Sequence, residues 1–298
     1  MLCETEGDNI PLFLQYWWWN AVCDGKDWDV ILVRDGNVVI GALPFVVVKR
    51  MGFRFILQPQ LTQYCGPWLR HPGDQSTFDR LFVQLRTLRY DFLQFNLSPA
   101  VYGLTLMRGF EVSHRRTLRI EDLSDLDKVF NGFDRKRRQK RIVKAEQELE
   151  WVQDVSPRQF AEFHHDYWFR RGEADLLSVG FMERVISCVL DHGSGFLSGL
   201  RDSQGCLHGA SFDVYDSNEA HSLMSALSLN HHPGTRPLLF WKSICRYASL
   251  TKVFDFEGSM DPGIAYSYEL YGSIPTAFVQ ITHCRNPLLG LLLKIKRR

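Results

Sequence analysis

The spacing of apolar and polar residues divides the chain into two runs of elements in similar order. Pro11 precedes Leu12, Phe13, Tyr16 and the triplet Trp17-Trp18-Trp19, which predicts a helix whose aromatic face needs a sheet to cover it. Two β-branched stretches, 28–34 and 37–49, flank Asp35-Gly36, the strongest short-range hairpin signal. A short strand over 53–57 leads into a polar loop, 58–66, where Pro59, Gly66 and Pro67 interrupt regular structure. Phe78, Leu81, Phe82 and Leu85 recur at helical spacing and predict a helix over 75–88. Strands over 91–97 and 117–120 complete this half.

The second half repeats the order. It runs helices 157–171 and 180–190, strands 195–201, 206–215 and 220–229, helix 237–249, strand 252–256, helix 263–271 and strand 276–283. Duplicated order with diverged residues predicts two lobes, 1–133 and 151–298, in a mixed α/β or α+β fold whose mostly antiparallel sheets are flanked by helices. Between them, 134–150 is rich in helix formers and has no breaker, so it reads as one basic helix linking the lobes.

Composition narrows the class. The 298 residues fit two domains of roughly 150 each, and 45% hydrophobic with 23% charged residues is the balance of a globular protein rather than a disordered one. A net charge of +1 supplies no global field for nucleic acid or anionic lipid, so any such affinity must come from a local cluster. Seven scattered cysteines without a C-x-x-C pair read as reduced thiols. Glu4, Glu6 and Asp8 stand where an export signal would carry cations, and the apolar stretch 287–295 is shorter than the ~20 residues of a membrane span, so a cytoplasmic protein is expected.

Several segments carry candidate chemistry. Asp255 and Glu257 alternate on a strand that leads into Gly258-Ser259, which puts both carboxylates on one face. Acyl transfer to an amine needs such a base or polar relay; the bland alternative is a solvent-facing strand edge. The run 230–237 passes from strand to helix with Pro237 suited to the first turn, so Gly234, Thr235 and Arg236 with the helix amides form a candidate phosphate site, or else an ordinary turn. Cations from Arg135 to Lys144, Arg138 and Arg141 among them, make either a binding surface for the phosphates of a nucleotide-linked acceptor, a CoA or a tRNA, or a solvated linker. Gln58, Thr62, Gln63 and Tyr64 form a loop suited to a polar acceptor, or simply a polar loop. His164-His165 and His231-His232 have no carboxylate or Cys at ligand spacing, so no metal is expected, and no G-x-S-x-G elbow supports a hydrolase. Leu288 to Arg298, apolar and then basic, fits a lipid interface or a helix closing the second lobe.

Four of these segments together resemble the Fem-type (FemAB-like) branch of the GNAT acyltransferases, a family of two tandem lobes. They are Arg138-x-x-Arg141-Ile142-x-Lys144-Ala145-Glu146, Pro233 to Trp241, Phe254 to Ile264 followed by Tyr271-Gly272, and Gln58-x-x-Leu61-Thr62-x-Tyr64-x-Gly66. The resemblance implies transfer of an acyl or aminoacyl group from acyl-CoA or aminoacyl-tRNA, with no tightly bound cofactor, to an amine acceptor such as a cell-envelope precursor. It places the donor in the second lobe beside Arg236, the reaction centre at Asp255 and Glu257, and the acceptor between the lobes. Pro233 and Pro237 depart from the Gly-rich phosphate loop of a regular GNAT protein, and no long helical arm is inserted in the second lobe. The rival reading is a non-catalytic two-lobed protein that grips nucleic acid or an anionic membrane through its basic helix and C-terminal tail.

Overall fold

The computed structural model describes residues 3, 6–172, 177–258 and 260–296. Its strands are β1 (Trp28–Asp35), β2 (Val38–Arg50), β3 (Phe53–Leu57), β4 (Trp68–Leu69), β5 (Phe92–Leu97), β6 (Glu111–Ile120), β7 (Glu150–Val152), β8 (Gly195–Arg201), β9 (Leu207–Tyr215), β10 (Glu219–Leu227), β11 (Val253–Asp255) and β12 (Ile274–Cys284). The α-helices are α1 (Tyr16–Val22), α2 (Gln75–Leu85), α3 (Leu126–Asn131), α4 (Lys140–Glu148), α5 (Pro157–Arg170), α6 (Val179–Asp191), α7 (Thr235–Tyr247), α8 (Pro262–Glu269) and α9 (Pro287–Lys296). No described helix is long and apolar enough to cross a membrane.

The chain forms two compact units, Met1–Arg116 with Ala277–Arg298, and Thr117–Thr276. These differ from the cuts expected after residues 133 and 150: the second unit begins inside β6, and the C-terminal part of β12 returns to the first. The segment expected to link the lobes lies wholly in the second unit.

In the first unit the strand order is β1-β2-β3-β5-β12. The pairs β1/β2, β2/β3 and β5/β12 are antiparallel, while β3/β5 is parallel. Asp35 pairs with Val38, so the hairpin loop is Gly36-Asn37, one residue further on than the dipeptide signal placed it. Gly36 takes a φ of 54°, the left-handed conformation such a turn requires and a side chain resists. Asp74 caps α2 by accepting from the Thr77 amide at 3.1 Å, and the buried Phe78, Leu81, Phe82 and Leu85 of that helix pack toward β1 and β2. The tryptophan triplet is buried, with Trp18 Nε1 donating to Thr62 Oγ1 at 3.0 Å and Trp19 Nε1 to the Phe13 carbonyl at 2.9 Å.

The second unit repeats the pairing pattern in the order β7-β8-β9-β10-β11, closed by the end of β6. β7 to β10 form an antiparallel meander, β10/β11 is parallel and β11/β6 antiparallel. Phe212 of β9 meets Phe160 of α5, while its neighbour Asp213 bonds Ser243 of α7, so those helices cover opposite faces. The core gathers Ile142 and Ala145 of α4, Leu238, Phe240 and Ile244 of α7, and Phe254, Phe256 and Tyr271. The basic stretch is not one uniform helix. Arg135–Gln139 is a π-helical turn capped by Asp134, and α4 follows, burying its apolar stripe while Arg135, Lys136, Arg137, Lys140, Arg141 and Lys144 stay exposed.

Candidate active site

The parallel pairing of β10 with β11 covers only Glu219↔Val253, Ala220↔Phe254 and His221↔Asp255. Beyond it β10 continues to Leu227 on β9, with a register shift between Ser222 and Met224, whereas the chain after Asp255 turns to β6: the Phe256 amide donates to the Leu118 carbonyl at 2.9 Å. The two strands therefore part, and a buried polar cluster sits where they do.

Among the described residues, five ionisable side chains make that cluster, with the Thr117 hydroxyl beside them. Arg119 pairs with Glu219 and approaches Asp255 Oδ2 at 4.0 Å and the outer Glu121 at 3.7 Å. His221 lies 3.3 Å from Glu219 and 3.7 Å from Glu257. Asp255 accepts from the Thr117 hydroxyl and, at 2.7 Å, from the Glu257 amide. Gly258 donates to Thr117 Oγ1 at 2.9 Å, and a Cβ there would stand 2.6 Å from the Thr117 Cα, so only glycine lets the chain pass this close to β6.

Strand alternation does not describe Asp255 and Glu257. The strand ends at Asp255, and Glu257 has a φ of 52°, a left-handed conformation that costs a non-glycine residue and recurs at functional sites. The carboxylates still reach one cluster, through Arg119 and His221 instead of a shared strand face. Ser259, predicted in the following turn, lies outside the described residues.

Three inner carboxylates face two cations, so the fully ionised cluster carries one excess negative charge and favours holding a proton. Burial raises Glu257 to about 8, with the Asp255 and Glu219 charges adding to it and His221 opposing. Burial also raises Asp255, against His221, Thr117 and Arg119. For His221 burial acts downward, but Glu219, Asp255 and Glu257 outweigh it and lift the imidazole to about 9. Burial would raise Glu219, yet His221 and Arg119 prevail and hold its carboxyl below the usual range.

Arg236, expected in the donor loop, belongs to the same neighbourhood. Its guanidinium donates to Ser225 Oγ on β10 at 2.7 Å and to Tyr167 OH at 3.4 Å, and both it and Glu257 act on the Tyr268 phenol, which burial raises. The rest of that loop is committed elsewhere. The Gly234 amide donates to His232 Nδ1 at 3.1 Å and the Thr235 amide to the His232 carbonyl at 2.9 Å. Thr235 is wholly buried, and Gly234 is pressed against α4, where a Cβ would meet the Arg141 carbonyl at 2.4 Å. Two of the amides expected to receive phosphate are thus spent inside the turn.

The acceptor candidates separate. Gln58 bonds the carbonyls of Thr62 and Gln63 and accepts from the Asn96 amide, Thr62 is held by Trp18, and Tyr64 is buried between Phe13 and Phe278. The loop 58–64 is thereby stitched to the core of the first unit, a brace rather than an open recognition surface. Arg138 is buried too, donating to the Ser267 carbonyl at 2.7 Å and stacking over Tyr271 at 4.4 Å; Arg141 remains exposed on α4. Glu219, His221, Thr117 and Arg119 were not singled out in the sequence. Glu219 and His221 flank the buried Ala220 at i and i+2 on β10, a pattern the sequence does show, whereas Thr117 and Arg119 stand on a β6 that is polar along most of its length and gives no such signal.

No family model and no curated protein matches the chain. Solved structures do. FemX superposes with a TM-score of 0.71 at 12% identity, covering 94% of each chain. The C-terminal domain of a putative lysylphosphatidylglycerol synthetase from Agrobacterium fabrum gives 0.60 at 11% identity over 94% of this chain and 90% of its own. A tandem GNAT protein from the clavulanic acid biosynthesis pathway gives 0.53 at 13% identity over 88% and 84%. The fold is that of the tandem GNAT-like, Fem-type acyltransferases.

Proposed function

We propose that the second unit transfers an aminoacyl or acyl group to an amine, with Glu257 as the proton acceptor and Asp255, His221, Glu219 and Arg119 setting its charge state. The observation that carries this reading is the parting of β10 and β11 directly above the buried cluster. Past His221, no described strand pairs with β10 on its β11 side, which leaves backbone groups to hold an amide and to stabilise a developing oxyanion. The amine nitrogen attacks the ester or thioester carbonyl, a C–N bond forms and the C–O or C–S bond breaks. The ammonium proton passes to the Glu257 carboxylate and returns to the leaving oxygen or sulfur.

An aminoacyl-tRNA fits this chain better than a CoA thioester. The turn before α7 has consumed two of its amides, while the exposed cations of the π-helical turn and α4 suit a phosphate backbone. The acceptor is then a small amine, a cell-envelope precursor among the candidates.

The test is transfer from a panel of aminoacyl-tRNAs and acyl-CoAs to amine acceptors, comparing wild type with Glu257→Gln. The variant should fold, bind donor normally and turn over roughly 10²–10⁴-fold more slowly, the usual contribution of general acid–base catalysis. The wild-type rate should climb with pH to a plateau above about 8, as Glu257 ionises. An Asp255→Asn, Glu257→Gln double variant with normal turnover would falsify the assignment.

A further inference from the structure

We propose that the first unit carries a second ligand site, an apolar pocket that takes the end of a hydrocarbon chain. It involves none of the residues assigned to transfer, and its test reads binding alone.

Along β1 the side chains alternate. Ile31 and Val33 are buried, while Val30 and Leu32 point to the opposite face, where with Ala42 and Pro44 of β2 they line a cavity of about 300 Å³. Ile10 and Leu14 from the N-terminal segment wall it on another side, and Trp28 and Trp68 contribute indole rings. Interiors of folded domains are close-packed and seldom keep an apolar space of this size unless something occupies it.

The indole N–H groups of its lining are already engaged. Trp28 Nε1 donates to Asn20 Oδ1 at 2.8 Å and Trp68 Nε1 to the Asn9 carbonyl at 3.1 Å. The strand backbones pair with each other through Val30↔Pro44 and Leu32↔Ala42. Arg70, whose guanidinium lies 5.6 Å from the Trp68 ring, donates to the Val39 carbonyl and is ion-paired with Glu6. The indoles and the paired strands therefore ask for no hydrogen bond or charge from the ligand, and the other polar groups of the lining are the Tyr16 hydroxyl and the Cys3 thiol. At ~30 Å³ per water-sized group the space holds roughly ten heavy atoms, the length of a ten-carbon chain end. Val30, Leu32, Ala42 and Pro44 give it an aliphatic wall on the sheet side, which suits a flexible chain over a flat ring.

The experiment titrates the whole protein with n-decanol, geraniol and 2-naphthol, following heat of binding and thermal stability. Decanol or geraniol should bind and raise the melting temperature, and the preferred alcohol tells an alkyl chain from a prenyl chain. Ala42→Leu and Val30→Phe each push carbon into the cavity and should weaken binding roughly tenfold or more. Neither substitution should lower stability, because the added atoms fill existing space. Absence of binding by both ten-carbon alcohols, tighter binding of 2-naphthol than of either, or unchanged affinity in whichever variant stays folded would each overturn the proposal.

Discussion

His221 shows how one side chain takes its character from its neighbours. Alone in an apolar strand it would be a neutral core histidine; between Glu219 and Glu257 it becomes a buried cation. The pH dependence of folding follows. Glu257 is raised from 4.5 to about 8, Asp213 from 3.8 to about 7 and His221 from 6.5 to about 9. For each, the folded protein binds protons that the unfolded chain has released across that interval, so their joint effect is a fall in stability as pH rises from about 5 to 9. Glu219, held low, acts in the opposite sense, its contribution vanishing only as pH drops through its lowered value. Chemical denaturation at pH 6 and pH 9 should show lower stability at pH 9. Asp213→Asn, which can still accept from Ser243, should make the decline shallower. A stability that is flat or rising over this range would contradict the burial of these groups.

At the scale of elements, the packing of α4 against α7 gives Gly234 its role. The sequence suggested a loop that lets phosphate approach; the structure fills the same space with the Arg141 carbonyl and the Ala145 methyl, at 2.4 Å and 2.7 Å from where a Cβ would sit. Gly234→Ala should therefore cost about 1–3 kcal/mol in urea unfolding through overpacking. If the same variant bound donor more weakly at unchanged stability, the glycine would be a ligand position after all. The exposed side of the basic segment gives a separate expectation. Lys136→Glu with Lys140→Glu should weaken aminoacyl-tRNA binding and reduce the slope of log affinity against log salt by about one for each phosphate no longer neutralised. An unchanged salt slope would assign these residues to solvation alone.

At the scale of the whole molecule, each compact unit is completed by a strand from the far half of the sequence. In the first unit β5 pairs with β12 from the C-terminal end, and in the second β11 pairs with the end of β6. Cutting the chain at its apparent midpoint would leave both β5 and β11 with an open edge. Fragments 1–133 and 134–298, expressed separately, should fail to give cooperative unfolding or dispersed amide spectra. Co-expression should restore folding, because long-range strand pairing recovers what the cut removed. Independent folding of either fragment would show that the exchanged strands are dispensable.

Local pattern was enough for most elements. Apolar spacing predicted α2, the β1–β2 hairpin to within one residue, the β8–β9–β10 meander and α7, and the duplicated order foresaw two lobes of one fold. These are short-range properties, since helix periodicity, strand alternation and turn chemistry act within a few residues. Local pattern also pointed to Asp255, Glu257 and Arg236, which the structure brings around Tyr268. What it could not reach was pairing between distant segments. Thr117 and Asp255 are 138 residues apart, and Arg119 and Glu219 are 100 apart. The exchange of β6 and β12, the commitment of Gln58 and Arg138 to internal bonds and the separation of β10 from β11 depend on such partners. A polar side chain in a sequence looks equally ready to bind a ligand or its own fold, and only tertiary structure decides which, because a buried polar group must be satisfied by whatever the fold places beside it.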